Sequence, residues 1–314
     1  MVSYDLNSFY TILKKGNPHI LGDDVMDVIR TIDLCIVPIF VEPKKMDLLK
    51  KKKFKPSTPD KWEEKNGYKT TSVIMVEKSG VEKWLQEIRT GLNKLSAKNY
   101  DSQKNEIIHC IQNCMNTEDQ TEEHKKDNLK TIATAIFNIA STNKFYAELY
   151  AKLYKQLIHV NVIFQEILLI HVANYASSVK DIEYFNPEND YEKYCVNNKA
   201  NDARKATAVF LVHLIKEDVI PVMRVLNIIV AFQKLVIEYV EQEDKINEVD
   251  EITEILFLLI KEGKSIYDEC QGEYIWKFVI KQNIEVLSRY SKKDKKSLSS
   301  RAIFKYVDMA ALIK

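Results

Sequence analysis

His109, Cys110 and Cys114 place an imidazole and two thiols within about one helical turn. That spacing can begin a metal site, because residues four apart share one face of a helix. No third and fourth ligand follows at a usual interval, and Ile107, Ile108 and Ile111 surround the group. His159, His171 and His213 each lie inside an apolar helical pattern, where a core or half-buried histidine is the plainer reading than a catalytic base. The chain has no Gly-x-x-x-x-Gly-Lys loop, no Gly-x-Ser-x-Gly elbow and no Gly-x-Gly-x-x-Gly turn, so phosphate cradles and strained nucleophiles are missing. No catalytic residue, metal, cofactor or small-molecule substrate is therefore expected, and the protein reads as a non-enzyme.

Two charge runs remain. Glu243, Asp244, Glu248, Asp250 and Glu251 lie within an acidic run from Glu241 to Glu254 that lacks calcium-loop spacing and reads as a solvated loop entering a helix. Lys44, Lys45, Lys50, Lys51, Lys52, Lys53 and Lys55 form the opposite run, with Phe54 inside it. Lysines beside an aromatic ring can hold a single strand by phosphate attraction and base stacking, which makes Lys50, Lys51, Lys52, Lys53 and Lys55 candidate RNA contacts; a solvated linker is the other reading.

The 314 residues carry 46 Lys and Arg against 45 Asp and Glu, so no global field draws nucleic acid or membrane and any RNA grip must be local. Five cysteines without paired spacing fit a reducing compartment. Met1 to Tyr10 lacks the basic start and apolar core of a signal peptide, and Lys or Glu interrupts the longer apolar runs, so a cytoplasmic protein without membrane contact is expected.

The elements that would position these residues are helices. No glycine occurs between Gly91 and Gly263, an interval too long for turn-rich β structure. Three regions separate by composition: an arm over residues 1–42, a basic linker over 43–80, and long helical pattern over 81–314. In the last, Trp84, Leu85, Ile88, Leu92 and Leu95 form one stripe, and Leu129, Ile132, Ala135, Ile136 and Ile139 another. Helix stops are expected at Ser141-Thr142-Asn143, Phe185-Asn186-Pro187 and Glu262-Gly263-Lys264. Val160 to Ala176, apolar almost all round, should be buried between neighbours. Ten or so helices in series suit an all-α solenoid of about five stacked pairs better than one bundle.

Several words in this region resemble the middle domain of eukaryotic translation initiation factor 4G. Leu85-Gln86-Glu87-Ile88-Arg89-Thr90-Gly91-Leu92-Asn93-Lys94-Leu95-Ser96 is similar to that domain's opening helix. Phe145 to Ala151, Ala203-Arg204-Lys205-Ala206 through Ile215, and Ser299-Ser300-Arg301 with Phe304, Asp308 and Leu312 resemble later landmarks in the same order. Upstream, Lys53-Phe54-Lys55-Pro56-Ser57 is similar to a Trp-Lys-Pro-Ser element. Tyr4 to Tyr10 resembles the Tyr-x-x-x-x-Leu-Φ motif that binds the cap-binding factor 4E, with Phe9 in place of Leu. His213-Leu214-Ile215 departs from the family's Glu-Leu-Phe, and Tyr100 stands where the family has Phe.

The resemblance implies a HEAT-type solenoid that bridges a factor 4E-like cap-binding protein and a factor 4A-like DEAD-box helicase and helps recruit capped mRNA. Tyr4, Leu6, Phe9, Tyr10 and Leu13 would meet the cap-binding protein; Leu6, Phe9, Tyr10 and Leu13 also fall at i, i+3, i+4 and i+7, one face of a short helix. Phe54, Leu92, Leu95 and Tyr100 would meet the helicase. The closing helix would lie near a second contact, with Phe304 and Leu312 expected in the core. The alternative is an adaptor built on the same domain and acting in mRNA decay, splicing or nuclear cap recognition.

Overall fold

The computed structural model describes residues 80–117, 120–270 and 274–314, which belong to the second of two units, Met75–Lys314. Tyr4, Leu6, Phe9, Tyr10, Leu13, Phe54 and the Lys50–Lys55 tract lie outside the described residues.

Among the described residues there are ten α-helices and no strand: α1 (Val81–Lys94), α2 (Tyr100–Met115), α3 (Glu122–Thr142), α4 (Ala147–Val160), α5 (Ile163–Tyr175), α6 (Tyr191–Lys216), α7 (Val222–Tyr239), α8 (Ile246–Glu269), α9 (Lys281–Ser288) and α10 (Ser300–Leu312). A π-helical stretch, Ile275–Ile280, leads directly into α9. Each heavily packed pair lies close in helix order: α1 on α2 and α3, α3 on α5 and α6, α4 on α6, α6 on α8, α8 on α7 and α10, and α9 on α10. This is an all-α, solenoid-like stack, with the ten helices that five pairs require.

Local chemistry sets the helix ends. The side chains of Thr121, Asp190 and Ser299 accept hydrogen bonds from the amides of His124, Lys193 and Ala302, capping α3, α6 and α10. With no glycine available, Asp218 (φ 57°) and Asp244 (φ 60°) take the left-handed conformation at chain reversals. After α6 the Val219 amide reaches back to the Leu214 carbonyl at 2.8 Å.

The core runs through the whole stack. Phe137 of α3, Tyr154 of α4 and Phe210 of α6 meet edge to face at 6.0–6.3 Å, and His171 of α5 stacks on Phe137 at 4.2 Å. Arg204 of α6 locks the loop that precedes the helix, donating to the Ser178 and Asp181 carbonyls and to Asn201 Oδ1, while Tyr175 Oη donates to the Arg204 carbonyl.

Two expectations are corrected here. α8 does not stop at Gly263. The glycine sits mid-helix because a Cβ there would fall 2.2 Å from the Tyr267 ring, which folds back along its own helix and donates to the Leu259 carbonyl. α5 is not buried all round, since α3 and α4 cover only part of it and Val162 and Ile170 are exposed.

Candidate partner-binding surfaces

The opening corner is the first site that sequence reasoning singles out. The apolar stripe of α1 turns inward because Gly91 lets α2 approach closely: a Cβ at Gly91 would meet Ile107 Cγ1 at 3.0 Å. Leu92 and Leu95 lie in that seam at 1% and 2% exposure, and the Leu92 carbonyl accepts a hydrogen bond from Tyr150 Oη of α4 at 3.2 Å. They are core residues, and their assignment as helicase contacts is corrected: a side chain already closed in by its own fold has no surface to offer a partner. Tyr100, at the start of α2, is half-buried, and its phenol is pushed up to about 12 by burial, with Asp101 and Glu217 adding. Asn93, Lys94 and Lys98 form the exposed part of the corner, on a turn held by Asn99, which accepts from the Ser96 amide at 2.7 Å and donates to the Lys94 carbonyl at 2.9 Å.

Two open grooves flank this corner. One, of about 400 Å³, lies between α1 and α2 and is lined by Glu87, Lys94, Gln103, Glu106 and His109 among others. The other, of about 450 Å³, lies between α1 and α3, with Arg89, Lys130, Thr131 and Asn138 over a floor that includes Leu85 and Ile139.

The thiols beside the first groove are inert. Cys110 is buried with its S–H directed at the Trp84 carbonyl and at Glu87, and burial followed by the Glu87 charge pushes it up to about 12. Burial raises Cys114 as well. Both stay protonated near neutrality, whereas a metal ligand must be a thiolate. Exposed His109 faces Asn113, and among the described residues no three His, Cys, Asp or Glu gather as a metal site would require. Of the other histidines, His171 and His213 are half-buried and held low by burial, and His159 is exposed.

The acidic run does more than solvate a loop. Glu241 pairs with Lys295 and Glu243 with Lys296 at 3.1 Å, Asp250 accepts from the Ser299 hydroxyl, and Glu254 binds Arg301 at 3.2 Å and Lys305 at 3.4 Å. Glu251 joins Lys205 of α6 at 3.0 Å. The run from Glu241 to Glu254 is thus a clamp that fastens the last segment to α8. Ser297 completes it from a buried position, donating to the Gln242 carbonyl at 2.7 Å and accepting from the Lys245 amide at 2.9 Å.

The closing segment reverses another expectation. Ala302, Tyr306, Met309 and Ile313 are the buried stripe of α10, which leaves Phe304 69% and Leu312 38% exposed rather than in the core. Before α9, Tyr274 (71% exposed) and Phe278 (54%) hold their ring centroids 5.4 Å apart at the surface. The π-helix beneath them is supported from inside. Buried Gln233 of α7 donates to the Ile280 carbonyl at 3.0 Å and accepts from Asn283 at 3.0 Å, and Trp276 donates to Asp268 at 2.7 Å. Although burial opposes it, hydrogen bonds from Lys264, Trp276 and Lys281 bring the Asp268 carboxyl down to about 2.

A third exposed aromatic group, Tyr184 and Tyr191 with Val196, surrounds the loop before α6. Nothing in the periodicity announces it, because it sits on the segment that interrupts the helical pattern. Among the described residues no helix is long and apolar enough to cross a membrane. Compared with known proteins, the chain matches no protein-family model and no curated protein.

Proposed function

We propose that the chain is a non-enzymatic scaffold of translation initiation, resembling factor 4G, that joins a factor 4E-like cap-binding protein to a factor 4A-like DEAD-box helicase on capped mRNA. One observation carries the reading: four resembling words, in family order, fall on helices or helix starts along a solenoid-like stack. The opening word occupies α1 and its turn, the Phe145 word leads into α4, the Arg204 word forms the locked middle of α6, and Ser299 caps α10.

A stack of this kind keeps its two ends at a fixed separation. Held against two lobes of a helicase, it favours one lobe arrangement and raises turnover up to its differential affinity for the two states. The contact at the opening corner is made by Tyr100 and the exposed Asn93, Lys94 and Lys98, with Leu92 and Leu95 stiffening the corner from inside. Phe54 anchors the preceding tail. Tyr4, Leu6, Phe9, Tyr10 and Leu13 form the cap-binding-protein arm, and Lys50 to Lys55 add a salt-sensitive grip on RNA. Linking the two partners through one chain gives the second encounter an effective concentration on the order of millimolar.

Two measurements test this. The chain, added to a DEAD-box helicase with ATP and RNA, is expected to raise ATP hydrolysis several-fold; an unchanged rate removes the helicase half. Retention on an immobilised cap-binding protein is expected to be lost in Tyr4→Ala and Phe9→Ala, and equal retention of parent and variants removes the arm.

A further inference from the structure

We propose that the outer face of the terminal hairpin, formed by the π-helix with α9 and by α10, is a docking surface for an acidic amphipathic helix of a partner protein. The inner face of the hairpin is occupied. α7 packs on the π-helix and α8 on α10, burying Trp276, Ile280 and Leu287 from one strand of the hairpin and Ala302, Tyr306 and Met309 from the other. Lys281 Nζ donates to the Ile313 carbonyl at 3.2 Å, which fixes an antiparallel register. Phe278 therefore stands at the Leu312 end of the face, and Phe304 lies about 12 Å further along α10, eight residues at 1.5 Å each.

The outer face is apolar on α10 and mixed on the π-helix and α9, where exposed Gln282 and Glu285 lie between Phe278 and Val286. Phe278 and Val286 (49% exposed) recur at i and i+8, while Phe304, Val307 (45%) and Ala311 recur at i, i+3 and i+7. The apolar ridge of α10, with Phe278 and Val286 beside it, can accept the ridge of a third helix. Residues 274–314 hold six of the fifteen large apolar side chains that the described residues expose, a concentration that marks an interaction surface rather than scattered exposure.

Charge selects the occupant. Residues 274–314 contain ten Lys and Arg against three Asp and Glu, in a chain that is balanced as a whole. The acidic clamp engages Lys295, Lys296, Arg301 and Lys305. Lys292 and Lys293, both exposed at the hairpin turn, have no ion-pair partner among the described residues. A second copy of this chain would set one cationic rim against another and is disfavoured by like-charge repulsion. Single-stranded RNA would stack on Tyr274, Phe278 and Phe304 but leave Val286, Val307 and Leu312 uncovered, since aliphatic side chains offer no π face. An acidic amphipathic helix covers aromatic and aliphatic side chains alike and meets the free lysines with its flanking carboxylates. This inference stands apart from the helicase reading: loss of helicase stimulation leaves it untouched.

The probe is a fluorescein-labelled helical peptide with leucines at i, i+3, i+4 and i+7 and glutamates on the flanks, titrated with the full chain by fluorescence anisotropy. Saturable binding is expected. Phe278→Ser with Phe304→Ser should weaken it by about tenfold or more, the loss typical of central apolar anchors. Lys292→Glu with Lys293→Glu should weaken it several-fold and flatten its salt dependence, and a peptide with lysines for glutamates should not bind. These side chains are exposed, so the thermal melts of the variants should match the parent. No saturable binding, equal binding by the serine variants, equal loss in Tyr184→Ser with Tyr191→Ser, displacement of the peptide by oligouridine, or a dimer that Phe304→Ser dissociates would each overturn the proposal.

Discussion

The two ends of the described stack use the same kind of sequence in opposite ways. At the opening corner the apolar stripe of α1 is closed in by α2 and α3, and Leu92 and Leu95 disappear into the core. At the terminal hairpin α10 carries two apolar stripes, Ala302–Tyr306–Met309–Ile313 facing inward and Phe304–Val307–Ala311 facing out. A leucine at helical spacing reports that a helix has an apolar face. It does not report whether that face meets the protein itself or something else, which depends on whether another helix of the chain arrives to cover it.

The sharpest way to break this contrast is a matched pair of truncations. Leu92→Ala is expected to cost about 2–5 kcal/mol of unfolding free energy, the range for emptying a closed apolar site. Phe304→Ala should stay within about 0.5 kcal/mol, as surface changes do. Urea unfolding of the two variants checks this, and similar costs would mean that the two ends are packed alike. Next in size, Gly263→Ala forces a methyl into the Tyr267 ring and is expected to cost about 1–3 kcal/mol by overpacking. Restoring space with Tyr267→Leu in the same chain should recover part of that loss. Ser299→Ala removes both the α10 cap and a partner of Asp250, for about 1–2 kcal/mol. Because that change acts at the hairpin, amide exchange should quicken in α10 while α1 is unaffected.

The smallest effect concerns pH and uses the middle of the stack as a reference for both ends. Burial holds the His171 and His213 imidazoles below their ordinary 6.5. As pH falls through about 6.5 the unfolded chain takes up protons that the folded chain refuses, so stability is full above that value and declines below it. Melting temperatures at pH 7.5 and 5.5 should show the decline, and His171→Phe, which keeps a ring on Phe137, should lessen it.

The helical class, the stop at Asn143 and the break between helices that contains Asn186 were legible because apolar spacing and breaker residues act locally. What escaped reading depends on contacts distant in sequence. Gly263 looks like a stop until Tyr267 is seen to need its space. The carboxylates from Glu241 to Glu254 look like a solvated loop until the lysines some fifty residues later come back to them. The exposure of Val162 and Ile170 follows from which neighbours α5 receives, and no property of α5 itself states that. Leu92 and Leu95 were misread for the same reason, since core and interface are written with the same amino acids.

The π-helical turn is one residue richer than the α-helix it interrupts. In effect it is a dial: deleting one residue between Ile275 and Ile280 would restore regular pitch and turn Tyr274 by about 100° around the axis relative to α9. Tyr274 would rotate away from its present side of the hairpin, while the Ile280 carbonyl, on the α9 side of the deletion, would keep its hydrogen bond from Gln233 of α7. A single codon thus governs where Tyr274 points relative to α9, at no cost to the contact that Gln233 makes from the interior.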